Sequence, residues 1–576
     1  MDIALCGVVR RRTLVADRLN RCFLITVSVC LITRNTGEKT FPPTYSYSRA
    51  DWALFTQLAV IPDAMVKTES VDTAVQEVTN VLIAAADLSI PKVSSHSFQR
   101  YEPWWNTDCQ TAYKNQRKLW GIFRRYPTTE NLLAFKKAKS NARRVRRRSQ
   151  RQSWIRNVSS LTSSTSSKQL WKKVKAANGM YRESSFPILQ TSNSVFSSPV
   201  KIVNILGETF QSVSSTASYN SCFLEIKRRA ERTPINFSTR SFFPYNCNFT
   251  MAELRKALIQ AHNTSPGPDG ITYTMLRHLD PNSLTNILFL FNRVWKEHCF
   301  PSSWREAIVI PILKPGKVAT DPLSYRPIAL TSCFYKIFER MVNTRLVYVL
   351  EKEKCISPLQ SGFRKGRSTL DNLVFLESQI RDAFVRRNHL VSLFFDIEKA
   401  YDRTWRYGIL RNMHDFGLRG NLPIFIFNFL AVRYFHVRIG HSSSHKSIQD
   451  QGVPQGSVLS VTLFNIHMSS ILHHLPPSVR GMLYVDDLQV SCKGSDMRLI
   501  ERQLQTTVNR LVKCLVTPSV PSTNTLDYGC VVYDSARASV LKRLDTIHHS
   551  ALRICSLVPS ELRLLPACMW YAINHL

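Results

Sequence analysis

Two apolar runs that end in carboxylates constrain the fold of this 576-residue chain more than any other feature. The segment Val391-Ser392-Leu393-Phe394-Phe395-Asp396-Ile397 is β-rich and nearly all apolar, which reads as a buried strand. An aspartate at the end of such a strand is costly to bury unless a cation or hydrogen bonds compensate it. Further on, Met482-Leu483-Tyr484-Val485-Asp486-Asp487-Leu488-Gln489-Val490 sets two adjacent carboxylates between apolar flanks. That pattern fits two short strands joined by a tight hairpin, since Asp favours turns. Neighbouring strand side chains point to opposite sides. One carboxylate, Asp486, is therefore expected to face Asp396, with Asp487 further from it. Taken alone the hairpin also reads as a structural turn.

Carboxylates converging from adjacent strands suit Mg²⁺, which takes hard oxygen ligands and usually one or two carboxylates, the rest being waters and phosphates. Two such ions can serve an in-line phosphoryl displacement that needs no protein nucleophile.

Other segments narrow the reading. Phe395-Asp396 through Ala400-Tyr401-Asp402 resembles the A motif of reverse transcriptases, and Tyr484-Val485-Asp486-Asp487 resembles their C motif. Between them Gly452-Val453-Pro454-Gln455-Gly456-Ser457-Val458-Leu459-Ser460 is similar to the B motif. Upstream stand Trp304 to Lys317, Tyr325-Arg326-Pro327-Ile328-Ala329-Leu330, Gln360 to Thr369 (QSGFRKGRST) and Ser265-Pro266-Gly267-Pro268-Asp269-Gly270. All of these, in this order, resemble the reverse transcriptases of non-LTR, LINE-like retrotransposons of the Jockey type. Relatives commonly have Pro where Val461 stands.

The resemblance implies an α+β fold: right-hand polymerase fingers and a palm with an antiparallel sheet backed by helices, preceded by a helical basic module. It also implies roles. Asp396, Asp486 and Asp487 would hold Mg²⁺, with Mn²⁺ a substitute. Tyr401 would reject a ribonucleotide 2′-hydroxyl, and Gln455 with Gly456 would line the nucleotide pocket. Arg326, Arg367 and Lys314 would grip the triphosphate, for which arginine is suited by its bidentate geometry. The implied partners are an RNA template, a DNA primer and dNTPs. Two other readings stay open. One is an inactive remnant that only binds RNA or DNA; the other is an RNA-directed RNA polymerase, against which Tyr401 and the Tyr484–Asp487 loop argue.

Charge supports a polyanionic partner. Lys and Arg number 76 against 41 Asp and Glu, a net charge of +35, and neutralising phosphates releases their condensed counterions. Residues 101–156 hold 15 Lys/Arg and 3 Asp/Glu, densest at Arg143, Arg144, Arg146, Arg147, Arg148 and Arg151. Interleaved Trp104, Trp105, Trp120, Phe123, Tyr126, Phe135 and Trp154 make a single-strand binding surface one reading, and a solvated helical face with aromatics turned inward the other. The 14 cysteines lack CxxC pairs or zinc-finger spacing, which points to reduced thiols in an intracellular, nuclear or cytoplasmic protein. The apolar run from Cys22 to Ile32 follows several arginines, which leaves a signal-anchor as the alternative reading, but it is too short to span a bilayer and no stable membrane association is expected. Oligomeric state is not legible.

The expected organisation is an irregular leader (1–50), a helical basic linker region (51–180), a loosely structured connector (181–249), reverse transcriptase fingers and palm (250–514), and a post-polymerase helical remnant (525–576). Within it, Val71, Val75, Val78 and Leu82 predict a helix stopped by Pro91, and a helix is expected from about Lys168. Another is expected near Glu398–Asp402. Met497, Ile500, Leu504, Val508 and Leu511 predict an amphipathic helix. After it, the linker Thr517–Asn524 and a segment at Leu526–Tyr533 similar to one found beyond the thumb suggest that the thumb is largely missing. No endonuclease or ribonuclease H segment is recognised.

Overall fold

The apolar alternation between residues 300 and 500 forms two sheets in the computed structural model, which describes residues 13–16, 22–25, 44–93, 104–160, 188–191, 194–219, 221–397, 399–515 and 562–564. The chain divides into two compact units: residues 1–44 with 92–182, and residues 45–91 with 183–576. No helix among the described residues is long and apolar enough to cross a membrane.

The leader is not wholly irregular. Thr13–Ala16 pairs antiparallel with Cys22–Ile25, two short runs of strand-favouring residues. Helix α1 (Val71–Ser89) forms on the expected stripe and buries Val71, Val75, Val78 and Leu82. It belongs to the larger unit. Its core takes in Phe291, Trp295, Phe334 and Phe338, and the Ile61 amide donates to Ser283 Oγ at 3.0 Å. The expected single region 51–180 is therefore divided at residue 91, because the apolar face of α1 buries in the core of the larger unit.

The remainder of that region forms helices α2 (Thr107–Arg125) and α3 (Thr129–Ser159). Asn106 caps α2, accepting from the Cys109 amide, and Thr128 caps α3, accepting from the Asn131 amide. The helices fold back on each other, with Trp120 against Phe135 at 4.9 Å at one end and Ser149 bonded to the Trp104 carbonyl at the other. The helix expected from Lys168 lies outside the described residues.

The described residues of the segment read as a loose connector include packed helices. Helix α4 (Pro199–Val213) starts with Pro in its first turn and buries Ile202, Val203, Leu206 and Phe210 against the first sheet. Beyond it lie α5 (Pro281–Glu297), α6 (Cys333–Lys352), α7 (Thr369–Val385), α8 (Arg406–Asp415), α9 (Ser460–Met468) and α10 (Met497–Leu515). The main strands are β1 (Glu306–Leu313), β2 (Tyr325–Leu330), β3 (His389–Ile397), β4 (Arg433–Ile439), β5 (Ser447–Gln449), β6 (Val479–Tyr484), β7 (Asp487–Gly494) and β8 (Leu562–Leu564).

In the first sheet β1 lies between β2, antiparallel, and β4, parallel, with β5 on the far edge of β4. The second sheet is wholly antiparallel in the order β6-β7-β3-β8. Helix α10 backs it through Ile500, Leu504, Val508 and Leu511, which share a core with Val391, Leu393, Phe395, Leu488 and Val490. This is the expected α+β class. The linker and the 526–533 segment lie outside the described residues, as does the expected helical remnant except for β8, which is a strand. Where a helix is expected to begin, near Glu398–Asp402, the described residues Lys399–Asp402 form a turn. Lys399 is left-handed (φ 53°), and α8 begins only at Arg406.

Candidate active site

Strand β3 delivers Asp396 to its own C-terminal end, and the β6–β7 hairpin delivers Asp486. Tyr484 pairs with Asp487, so Val485 and Asp486 form a two-residue connection. Such connections need a positive φ at their first residue and usually place Gly or Asn there. Here it is Val485, at φ 62°, a conformation that costs a non-glycine residue on the order of 1–3 kcal/mol.

Asp396 and Asp486 line one cavity of about 540 Å³, together with Tyr401, Asp402, Gln455, Lys314, Arg326 and Lys399. Asp487 is not on that wall. It lines a smaller groove of about 130 Å³ beside α7, with Phe394 and Met482. The carboxylates nevertheless feel one another. Burial and the Asp396 charge push the Asp486 carboxyl up, with Arg326 pulling the other way. Burial, then Asp486 and Asp396, push Asp487 up to about 6. Crowded carboxylates raised in this way are relieved by a cation.

Among the described residues, no three Asp, Glu, His or Cys side chains converge as a metal site. Two carboxylates opening on a cavity still fit Mg²⁺, which completes its shell with water and phosphate oxygens.

The turn after β3 and the loop before α9 build the opposite wall. Val453 N donates to Tyr401 O at 2.8 Å, and Gly452 N to Thr404 O at 2.9 Å. Gly452 is required there: its φ is 76°, and a Cβ would strike the Tyr401 and Asp402 carbonyls. The Tyr401 ring stacks on Phe464 at 4.9 Å, and burial beside Asp486 pushes its phenol up. Gln455 Nε2 donates to Asp402 Oδ1 at 2.8 Å, while Gln455 O accepts from Ala329 N at 2.7 Å. Gly456 (φ 133°) lies against the Ala329 carbonyl, where a Cβ has no room.

Of the residues singled out from sequence, the cavity gathers Asp396, Asp486, Tyr401, Gln455, Arg326 and Lys314. Arg367 is off its wall, exposed, with Nη1 3.7 Å from Asp371, a pair that counts for little in water. Arg143, Arg144, Arg146, Arg147, Arg148 and Arg151 belong to the other unit, all exposed on α3. Ser265–Gly270 forms a turn before the short helix Tyr273–Arg277, with Gly267 pressed on the Thr331–Ser332 backbone.

Wall residues given no role from sequence include Lys399 and Asp402, which flank Ala400-Tyr401, and Thr209, Phe210 and Val213 from α4. Adjacency to Tyr401 was the available signal for the first two. Nothing in the sequence joined Phe210 to a site almost two hundred residues away.

Comparison with known proteins gives the same region. Residues 312–517 match the family described as reverse transcriptase (RNA-dependent DNA polymerase). The RNA-directed DNA polymerase from the mobile element jockey of Drosophila melanogaster is 34% identical over 248 residues, 42% of this chain and 27% of that protein. The "probable RNA-directed DNA polymerase" from transposon X-element of the same fly is 33% identical over 258 residues, 43% of this chain and 27% of that protein. A 115 kDa protein in a type-1 retrotransposable element of D. melanogaster is 22% identical over 495 residues, 83% of this chain and 45% of that protein. The chain thus spans about a quarter of the length of the first two relatives.

Proposed function

We infer that this chain, whose residues 312–517 form a reverse transcriptase domain of the non-LTR retrotransposon kind, is an RNA-directed DNA polymerase. It would join a dNTP to a primer 3′-hydroxyl on an RNA template. The observation that carries this reading is the single cavity in which Asp396 and Asp486 face Lys314, Arg326 and Lys399.

Asp396 and Asp486 are the residues that would hold magnesium, or manganese in its place, with Asp487 an auxiliary carboxylate. Bound there, the ions supply charge compensation for the attacking 3′-oxygen and the departing pyrophosphate. The chain's own residues do the positioning. Arg326 and Lys314 offset the triphosphate charge in a partly water-excluded cleft, where fixed cations count for more than in bulk. Arg367 would have to leave Asp371 to join them. The Tyr401 ring, held by Phe464, closes the side on which a ribose 2′-hydroxyl would sit. Gln455, fixed by Asp402, and Gly456, close to β2, shape the pocket of the incoming nucleotide. The exposed arginines of α3 are the proposed contact to the nucleic-acid strand.

Primer extension on an RNA template with dNTPs and Mg²⁺ tests the reading, comparing wild type with Asp486→Asn. Extension in the wild type is expected to fall about a hundred- to a thousandfold in the variant, the order of loss seen when one preorganised electrostatic group is removed from a transition state. Equal extension by both proteins would sink the proposed site. No extension from either, with primer–template binding intact, would leave a nucleic-acid binder.

A further inference from the structure

The turn that presents Asp486 is held by a side chain from outside the hairpin. Gln360 lies between α6 and α7 and is only 2% exposed. Its Oε1 accepts from the Val485 amide at 2.9 Å, and its Nε2 donates to the Val485 carbonyl at 3.3 Å. One carboxamide therefore engages both backbone polar groups of the residue before Asp486. The same Oε1 accepts from Gly362 N at 2.9 Å, which fixes the carboxamide itself. The main chain adds two bonds beside it: Leu483 N to Leu359 O at 2.9 Å and Ser361 N to Leu483 O at 3.0 Å. Gly362 packs so close to Val485 that a Cβ would collide with it, and Asn465 Nδ2 holds the Gly362 carbonyl at 2.9 Å.

This arrangement answers a local conflict. Val485 sits at φ 62°, where a β-branched residue is a rare outlier. Glycine would adopt that conformation without strain. Without it, the conformation has to be imposed by surroundings that over-determine it. A carboxamide suits the task, because it offers an acceptor to the N–H and a donor to the C=O. Glutamate would keep the acceptor, lose the donor and add charge beside three aspartates.

We propose that Gln360 is a positioning residue for the catalytic carboxylates: its carboxamide clamps Val485 in the left-handed conformation, and that conformation sets where Asp486 points. The kinetic consequence rests on the polymerase reading; the structural consequence does not.

The test uses the full chain with Gln360→Ala, Gln360→Glu, Val485→Gly and the Gln360→Ala/Val485→Gly double variant. In the Val485 background, Gln360→Ala is expected to lower kcat about tenfold or more while KM for dNTP moves less than about twofold, the pattern of an interaction made only in the transition state. Gln360→Glu should do no better. In the Val485→Gly background the same loss should shrink to less than about threefold, because glycine needs no clamp. Equal losses in both backgrounds, or a fall in kcat that merely follows the melting temperature, would overturn the proposal.

Hydrogen exchange supplies the reading that needs no activity. Amides of residues 483–487 should exchange at least about tenfold faster in Gln360→Ala, with the centre of β3 unchanged. Unchanged exchange in the hairpin would overturn the clamp. A wild type that extends no primer would defeat the polymerase reading and leave exchange to decide the clamp. Should Gln360→Ala not fold, Gln360→Glu carries the same two measurements.

Discussion

Asp402 separates the effect of burial from that of charge crowding, because its neighbours are cations. It accepts Gln455 Nε2 at 2.8 Å, and Lys399 and Lys314 pull its carboxyl down, yet burial outweighs them and pushes it up to about 6. The folded chain thus prefers the neutral acid. That contribution to stability is full below the unfolded value of about 3.9 and is lost as pH rises through about 6. Asn at 402 keeps an oxygen for Gln455 and never ionises. In melting scans without divalent ions, Asp402→Asn should match wild type near pH 4 and melt higher above pH 6.5 or so. Coincident curves at both pH values would refute the burial argument. The same variant should extend primers within about threefold of wild type, since Gln455 keeps its acceptor, whereas Asp402→Ala should raise KM for dNTP.

Helix α4 makes the corresponding case for elements. Leu206 is fully buried between this helix and the first sheet, and truncating a buried leucine costs about 2–5 kcal/mol. Leu206→Ala should therefore lower the melting temperature of the whole larger unit in one transition. An unchanged melting curve would mean that the segment is appended and not part of the core.

The helix was legible in principle, with Ile202, Val203, Leu206, Phe210 and Val213 at helical spacing, but the Ser-rich stretch before it diluted the signal. Strands β3, β6 and β7 were legible because mostly apolar residues lead up to Asp396 and flank Asp486 and Asp487. Helices α1 and α10 were legible because their stripes are unbroken by glycine or proline. The turn at Lys399–Arg403 was not. It depends on contacts with Gly452 and Val453 some fifty residues away, and local propensity carries no trace of them. For the same reason the motif residues Asp396, Asp486, Tyr401 and Gln455 could be singled out from their order in the chain, while the role of Asp402 as the acceptor for Gln455 and the places of Lys399 and Phe210 on the wall needed the fold.

For the whole molecule the open question is how a chain with a net charge of +35 divides that charge between chemistry and grip. The α2–α3 hairpin buries very little: among its described residues Cys109, Ala138 and Ser149 are buried. Trp105, Trp120 and Trp154 stay exposed at 41%, 47% and 53%, which removes the alternative that the tryptophans all turn inward. Arg143, Arg147 and Arg151 fall at successive i, i+4 steps and so form one stripe, and Trp154 follows at the next helical step of three. Cations and a ring on one line suit a single strand, with phosphates on the arginines and a base on the indole. Changing the three arginines to glutamine should flatten the slope of log affinity against log salt on single-stranded RNA by about 2, since each phosphate contact contributes about 0.7. Trp154→Ala should weaken binding by about 1–3 kcal/mol and leave that slope alone. If the triple variant keeps the wild-type slope, the arginines are a solvated helical face, and the grip on nucleic acid has to come from the larger unit.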